Sequence, residues 1–469
     1  MSVEDFRKNA YEVIDWLCNY QERVESLPVL SEVMPGEVRA SLPDSPPFGP
    51  EPFSNIMEDL DRIILPGITH WQSPGFFGYF PANASSPSIL GEIISAGLGV
   101  QGMLWLTSPS CTELETLVLD WIVEMLGLPE LFKSAGRGGG VIQDSASSAV
   151  LCALLAAREV AQGGKARESG TDSRLVGYCS EEAHSSVEKA FSIAGIGREK
   201  LRRIETDDDG SLSEFELKIQ ITSDISDGLL PFFVCATTGT TSTLASDRIE
   251  KLGLIARSNN CWLHVDAAMA GTASICPEFR YLNRGLELAN SYCFNPHKWM
   301  LTNFDCNCFY IHDKRPLNTA MSVLPEYLNN QQSENNDVVD YRDWQIPLGR
   351  RFRSLKLWFV IRSYGVEGIR EYVRLHVNLA EKFSCWIEEE EGFELVRYNG
   401  LNLVCFRVEG DDSRNQELLN RINKSGHIFL SHTVIDKRFV IRLCVGQVRV
   451  NHQTVLKAWQ IIKSSVKGL

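Results

Sequence analysis

From about residue 76 to residue 315, short apolar runs alternate with segments of helix length. That alternation narrows the possible folds more than any other feature of the chain. The runs are Leu175-Val176-Gly177-Tyr178-Cys179, Phe232 to Ala236, Trp262-Leu263-His264-Val265-Asp266, Ser291 to Phe294 and Cys308-Phe309-Tyr310-Ile311. Helical patterns lie between them at Ser145 to Arg158, Ser185 to Ala194 and Asp247 to Ser258. Strands joined by helices predict an α/β fold, with a mostly parallel sheet covered by helices on both faces. Such folds gather ligands at the carboxyl ends of their strands, so the residues just after each run are the first candidates for chemistry.

The flanks read differently. Residues 1–75 form amphipathic helices broken by the connector Leu42-Pro43-Asp44-Ser45-Pro46-Pro47, with Phe6, Ala10, Val13, Ile14 and Leu17 making one apolar stripe. A helical arm of this kind packs on the main body or on a partner subunit. Residues 322–342 are polar and Asn/Gln-rich, which suggests a mobile loop acting as a lid. A helical region follows at about 350–390. Leu401 to Val408, Gln416 to Lys424, Phe439 to Val445 and Val455 to Val466 then alternate strand and helix patterns. The expected division is an arm (1–75), a large ligand-binding domain (76–350) and a small C-terminal α+β domain (351–469).

Bulk properties exclude several classes. The 469 residues carry a net charge of −14. That argues against nucleic acid or an anionic membrane as partner, since both need a basic face. No stretch approaches the roughly 18 apolar residues of a membrane span, and the N-terminus lacks a signal peptide's apolar core. The 13 cysteines are scattered and odd in number, unlike a disulfide framework. Cys306 and Cys308 lack a second Cys/His pair nearby, so no metal site is expected. A cytoplasmic protein with reduced thiols is the reading.

Four places carry candidate chemistry. Lys298, in Asn295-Pro296-His297-Lys298-Trp299, follows an apolar run among Phe294, Trp299 and Met300. Apolar surroundings lower a lysine's pKa and make it a covalent catalyst, although an isolated lysine at a strand end is more often a surface residue. Asp266 ends another run and precedes the small residues Ala267, Ala268, Ala270 and Gly271. A carboxylate there needs a positive partner, and a metal or a helix start would serve as well as a pyridinium ring. Ser145-Ala146-Ser147 opens a helix after Val141-Ile142-Gln143-Asp144. Its free N–H groups and hydroxyls suit a phosphate, though Ser145 also reads as a plain N-cap. Gly136-Arg137-Gly138-Gly139-Gly140 is not a P-loop, because no Gly-Lys-Ser/Thr follows. His184 follows the run 175–179, where it can fill space or stack on a flat ring. Pyridoxal 5'-phosphate (PLP) is one molecule with an aldehyde for a lysine, a ring nitrogen for an aspartate and a phosphate for a helix start.

Taken together, His184, Asp266 and Asn295 to Trp299 resemble the group II PLP-dependent decarboxylases of fold type I. The resemblance runs over nearly the whole chain. It includes Trp71 to Pro81 (WQSPGFFGYFP), Ser108 to Glu115 (SPSCTELE), His264 to Gly271 (HVDAAMAG), Asn303 to Cys306 (NFDC) and Asp343 to Phe359 (DWQIPLGRRFRSLKLWF). Within that group these stretches are most similar to aromatic-L-amino-acid decarboxylases.

The resemblance implies roles. Lys298 would hold PLP as a Schiff base, Asp266 would pair with the pyridinium, and His184 and Ala268 would pack on opposite ring faces. Ser145, Ala146, Ser147 and Asn295 would hold the phosphate, with His297 beside it and Thr241 near the reactive edge. Trp71, Tyr79, Phe80, Pro81, Ala82 and Met103 would line the substrate pocket. Tyr327 would be the acid that returns a proton to Cα, where related aldehyde synthases carry Phe. The implied assembly is a homodimer with active sites at the interface. Met269, Met103, Ala82 and Asp144 depart from the family pattern, and the preferred ring among catechol, phenol and indole stays open. The expected reaction converts DOPA, Tyr, Trp, 5-hydroxytryptophan or Phe to its amine and CO2. An aromatic aldehyde synthase and a catalytically inactive PLP-fold binding protein are the alternatives.

Overall fold

The apolar runs become strands of one sheet. A computed structural model describes residues 1–322 and 338–467, and its contacts divide the chain into two compact units. The larger comprises Ala82–Glu381 and Arg397–Leu403; the smaller comprises Met1–Pro81, Lys382–Val396 and Val404–Leu469.

Among the described residues the larger unit holds a seven-stranded sheet. Its strands are β1 (Gly139–Gln143), β2 (Leu175–Ser180), β3 (Leu201–Ile204), β4 (Leu230–Thr237), β5 (Trp262–Asp266), β6 (Ser291–Phe294) and β7 (Asn307–Ile311). The order across the sheet is β1-β7-β6-β5-β4-β2-β3. Strand β7 runs antiparallel to both neighbours, and the pairs from β6 to β3 are parallel. This is the expected α/β architecture of fold type I, with one reversed strand.

One face of the sheet is covered by the helix Ala146–Ala161, whose Ala149, Ala153, Ala156 and Ala157 are buried at helical spacing. Residues this small let the helix axis lie close over Phe233, Cys235, Cys293 and Phe309 of the core. The helical stretch Arg353–Glu389 is interrupted at Gly365, whose φ of 64° and ψ of 173° leave the helical region. Glycine adopts that conformation without a Cβ clash.

A second sheet, of order β10-β11-β9-β8, is built mostly from residues of the smaller unit: β8 (Phe393–Tyr398), β9 (Leu403–Val408), β10 (Ser431–Ile435) and β11 (Arg438–Cys444). The β10–β11 hairpin closes through Asp436 and Lys437, both at positive φ, the backbone a two-residue hairpin turn requires. Helix Val3–Arg23 has a Ser2 capping box but no buried residue. No helix among the described residues is long and apolar enough to cross a membrane.

Candidate active site

Because β2, β4, β5 and β6 are parallel, and β1 shares their direction across β7, the residues following all five strands reach the same edge of the sheet. Lys298, Asp266, Thr241, His184 and Ser145 all follow one of these strands.

Asp266 ends β5 and is nearly buried. Its Oδ1 accepts the Ala268 N–H at 3.0 Å and lies 3.9 Å from Cys293 Sγ. No hydrogen bond from a described residue reaches Oδ2. Ala268 is half-buried at this edge, whereas Met269 is 1% exposed and belongs to the core.

Lys298 stands in the short helix Pro296–Trp299 that follows β6, its N–H donating to Asn295 O at 3.0 Å. Phe294, Trp299 and Met300 around it are wholly buried. Asn307 Nδ2 donates to Asn295 Oδ1 at 2.6 Å; that bond sets which way the Asn295 amide faces and leaves its Nδ2 as a donor. His297 Nδ1 accepts the Cys306 N–H at 2.9 Å, so a neutral His297 carries its proton on Nε2. Burial and then the Lys298 charge lower its pKa to about 3.

His184 accepts the Ser186 N–H on Nδ1 at 3.1 Å, with Ser186 Oγ 2.9 Å away. Its neutral form therefore also keeps the proton on Nε2. The residue is exposed, yet partial burial lowers its pKa, against Asp266 and alongside Lys298. The three groups share one electrostatic neighbourhood.

Ser145 N-caps the helix Ala146–Ala161 by accepting the Ser148 N–H at 3.3 Å. The cap consumes the third N–H of the helix, and the N–H groups of Ala146 and Ser147 make no hydrogen bond within the described residues. A cap on the third N–H thus leaves the first two N–H groups of this helix start able to meet an anion. Thr241 is exposed in the turn after β4. That turn is held by Asp247, which accepts Thr237 N–H and Leu212 N–H at 2.7 Å each. Burial pushes the Asp247 carboxyl up to about 6 against those two hydrogen bonds.

Ala82 and Met103 are half-buried in the larger unit, and Met103 O accepts the Arg342 N–H at 3.1 Å. Trp71, Tyr79, Phe80 and Pro81 belong to the smaller unit. There Trp71 stacks on Phe76 and Tyr79 with centroids 4.4 and 5.8 Å apart, and Arg442 stands 5.8 Å from the Phe80 ring. Tyr327 lies outside the described residues. Sequence reading passed over Asn307 and Asp247, which orient the site from behind. A polar residue heading an apolar strand was the available signal for Asn307.

An open carboxylate oxygen, a lysine at a strand end, an imidazole and two free helix N–H groups on one edge fit a flat phosphorylated pyridine aldehyde. Sheet and edge define the class, a PLP-dependent enzyme of fold type I. Residues 35–409 match the pyridoxal-dependent decarboxylase conserved domain. The phenylacetaldehyde synthase of Arabidopsis thaliana is 46% identical over 480 residues, covering 100% of this chain and 97% of its own length. Tyrosine decarboxylase 2 of Narcissus pseudonarcissus is 46% identical over 472 residues, covering 99% of this chain and 94% of its own. The crystal structure of Oryza sativa TDC with PLP and tryptamine has a TM-score of 0.96 and 39% identity, covering 99% of this chain and 98% of that one. The chain belongs to the pyridoxal-dependent decarboxylase family, in the group of aromatic-amino-acid decarboxylases and aldehyde synthases. It is a carboxy-lyase, and PLP is its cofactor.

Proposed function

We propose that the protein decarboxylates an aromatic L-amino acid (DOPA, Tyr, Trp, 5-hydroxytryptophan or Phe) to the corresponding amine and CO2. The carrying observation is the stretch from Trp71 to Met103, which supplies Trp71, Tyr79, Phe80 and Met103 and contains no Lys or Arg. That stretch brings no cation of its own for an acidic side chain, whereas its apolar and aromatic side chains suit an aromatic ring.

When bound, PLP supplies an electron sink for the bond broken at Cα. In this reading Lys298 would be the residue that holds the cofactor covalently. Asp266 Oδ2 would face the ring nitrogen and favour its protonated form, and His184 and Ala268 would pack against the ring. The N–H groups of Ala146 and Ser147, the hydroxyls of Ser145 and Ser147 and the Asn295 amide take the phosphate, with the His297 Nε2–H as a neighbouring donor. Thr241 lies by the reactive edge. The substrate carboxylate loses its charge as CO2 forms, so a site that binds this charge weakly favours that transition state. Tyr327 returns a proton to Cα and so commits the reaction to an amine.

Helix Val3–Arg23 leaves Val3, Phe6 and Tyr11 exposed, and helix Ser86–Leu98 leaves Leu90, Ile93, Ile94 and Leu98 exposed. Apolar surface of this extent supports a homodimer. The thirteen cysteines are free thiols, at home in a reducing compartment such as the cytoplasm.

A second reading, an aromatic aldehyde synthase, is favoured by the likeness to the Arabidopsis phenylacetaldehyde synthase. Incubation of the holoenzyme with the five amino acids separates the two by product. Amine and CO2 in equal amounts support the decarboxylase; aldehyde with peroxide and ammonia supports the synthase. CO2 release from glutamate but from none of the five overturns both.

A further inference from the structure

Strands β5 and β6 are parallel, with His264 opposite Ser291 and Asp266 opposite Cys293. Side chains of a pleated sheet alternate faces, so these four project from one face in two adjacent rows. All four are buried. Strands covered on both faces ordinarily carry apolar residues there, and polar groups in such a place cost free energy unless paired.

They are paired in sequence. Trp262 Nε1 donates to Ser291 Oγ at 2.9 Å, and Ser291 Oγ lies 2.8 Å from His264 Nδ1. His264 Nε2 lies 3.8 Å from Cys293 Sγ, and Cys293 Sγ lies 3.9 Å from Asp266 Oδ1. An indole N–H can only donate. The Ser291 hydroxyl proton has no other acceptor among the described residues, so it goes to His264 Nδ1. A neutral His264 then carries its proton on Nε2, facing Cys293. Burial lowers the His264 pKa to about 4 although Asp266 opposes the shift, which keeps the ring neutral near pH 7. Burial and the Asp266 charge push the Cys293 thiol well up, so it remains S–H. Phe233 stacks on the imidazole at 6.3 Å and Phe309 leans on it at 6.3 Å, which holds its plane. Every proton in the row points toward Asp266.

We propose that Cys293, oriented by His264 and Ser291, is a positioning residue for Asp266: its S–H donates to Oδ1 and leaves Oδ2 turned to the ring nitrogen of PLP. The proposal rests on the reading that Asp266 pairs with that nitrogen. With Ala268 N–H and Cys293 S–H both on Oδ1, the carboxylate has one saturated oxygen and one open oxygen, so its orientation is determined before the cofactor arrives.

Two readouts test it: equilibrium titration of the apoenzyme with PLP, and nitrogen-15 NMR of ring-labelled PLP in the holoenzyme. Cys293→Ala is expected to weaken PLP binding about 10-fold and to move the ring-nitrogen resonance away from its protonated position. Cys293→Ser restores a donor and recovers most of both. In an Asp266→Ala background, Cys293→Ala has no further effect. Should Cys293→Ala not fold, His264→Phe, which removes the Nε2 donor and keeps a ring, moves both readouts the same way. Wild-type affinity and resonance in Cys293→Ala, or an undiminished loss in the Asp266→Ala background, overturns the relay alone. Wild-type behaviour of Asp266→Ala itself overturns the reading of Asp266 and the relay with it.

Discussion

Arg350 Nη2 donates to Glu115 Oε1 at 2.5 Å, and the same oxygen accepts the Ile142 N–H at 2.7 Å. Both side chains are almost wholly buried, and the guanidinium lies 4.8 Å over the Tyr341 ring. Ile142 is the penultimate residue of β1, so this pair braces the strand that delivers Ser145 to the edge of the sheet.

Arg350→Ala would leave the Glu115 carboxylate alone in the interior, and we expect a loss of about 3–5 kcal/mol of stability. Replacing both partners by apolar residues of similar volume should cost far less, because no charge is then stranded. Urea unfolding of the single and double variants checks this; a single variant within about 1 kcal/mol of wild type contradicts it.

Lys298→Ala should bind PLP only non-covalently. After borohydride reduction and denaturation, the wild-type chain should keep the mass of one cofactor and the variant should not. Turnover should fall by about 1,000-fold or more. A reduced, cofactor-bearing Lys298→Ala chain would move the attachment point elsewhere.

Tyr327→Phe should lose amine and gain aldehyde, peroxide and ammonia at similar total CO2 release. The check is quantification of all four products from one substrate. Unchanged amine yield removes Tyr327 from the proton step.

His297 and His264 bear on acid stability. Burial, aided by Lys298, lowers His297 from 6.5 to about 3, and burial lowers His264 from 6.5 to about 4. Each binds its proton more weakly folded than unfolded. The stability they contribute is therefore complete above 6.5 and is lost as pH falls toward 4 and 3. The expected slope is about 1.4 kcal/mol per pH unit for each histidine. Urea unfolding between pH 6.5 and 4 should show a shallower slope in His264→Phe, by one proton's worth; equal slopes would falsify the assignment.

The ends of β5 and β6 were legible because an apolar run stopping at a polar residue is itself the signal, and Asp266 and Lys298 stand at or just past those stops. Strand β3 was not read. Its Leu201 and Ile204 flank Arg202 and Arg203, and an edge strand with one neighbour needs no continuous apolar run. Strand β10 (SHTVI) escaped for the same reason. The expected helical region at about 350–390 is interrupted at Gly365, a break that apolar periodicity alone does not mark. Ser145 stayed open between cap and phosphate ligand because both uses exploit one helix start. The pairing of His264 with Cys293 could not be read at all. It depends on the register between two strands, which no local pattern encodes.

Among the described residues, strand β1 hydrogen-bonds within the sheet only to β7. Gln143 therefore meets its register partner Asn307 only after the whole intervening chain has been made. On the ribosome, the strand that precedes the helix Ala146–Ala161 emerges with no strand to pair with and waits through the synthesis of five others. Contacts so distant in sequence slow folding and leave an apolar edge exposed to wrong partners meanwhile. The nascent chain can have most of its sheet and still lack the strand that carries Ser145, so the larger unit's sheet is completed at the end of its synthesis from its first strand.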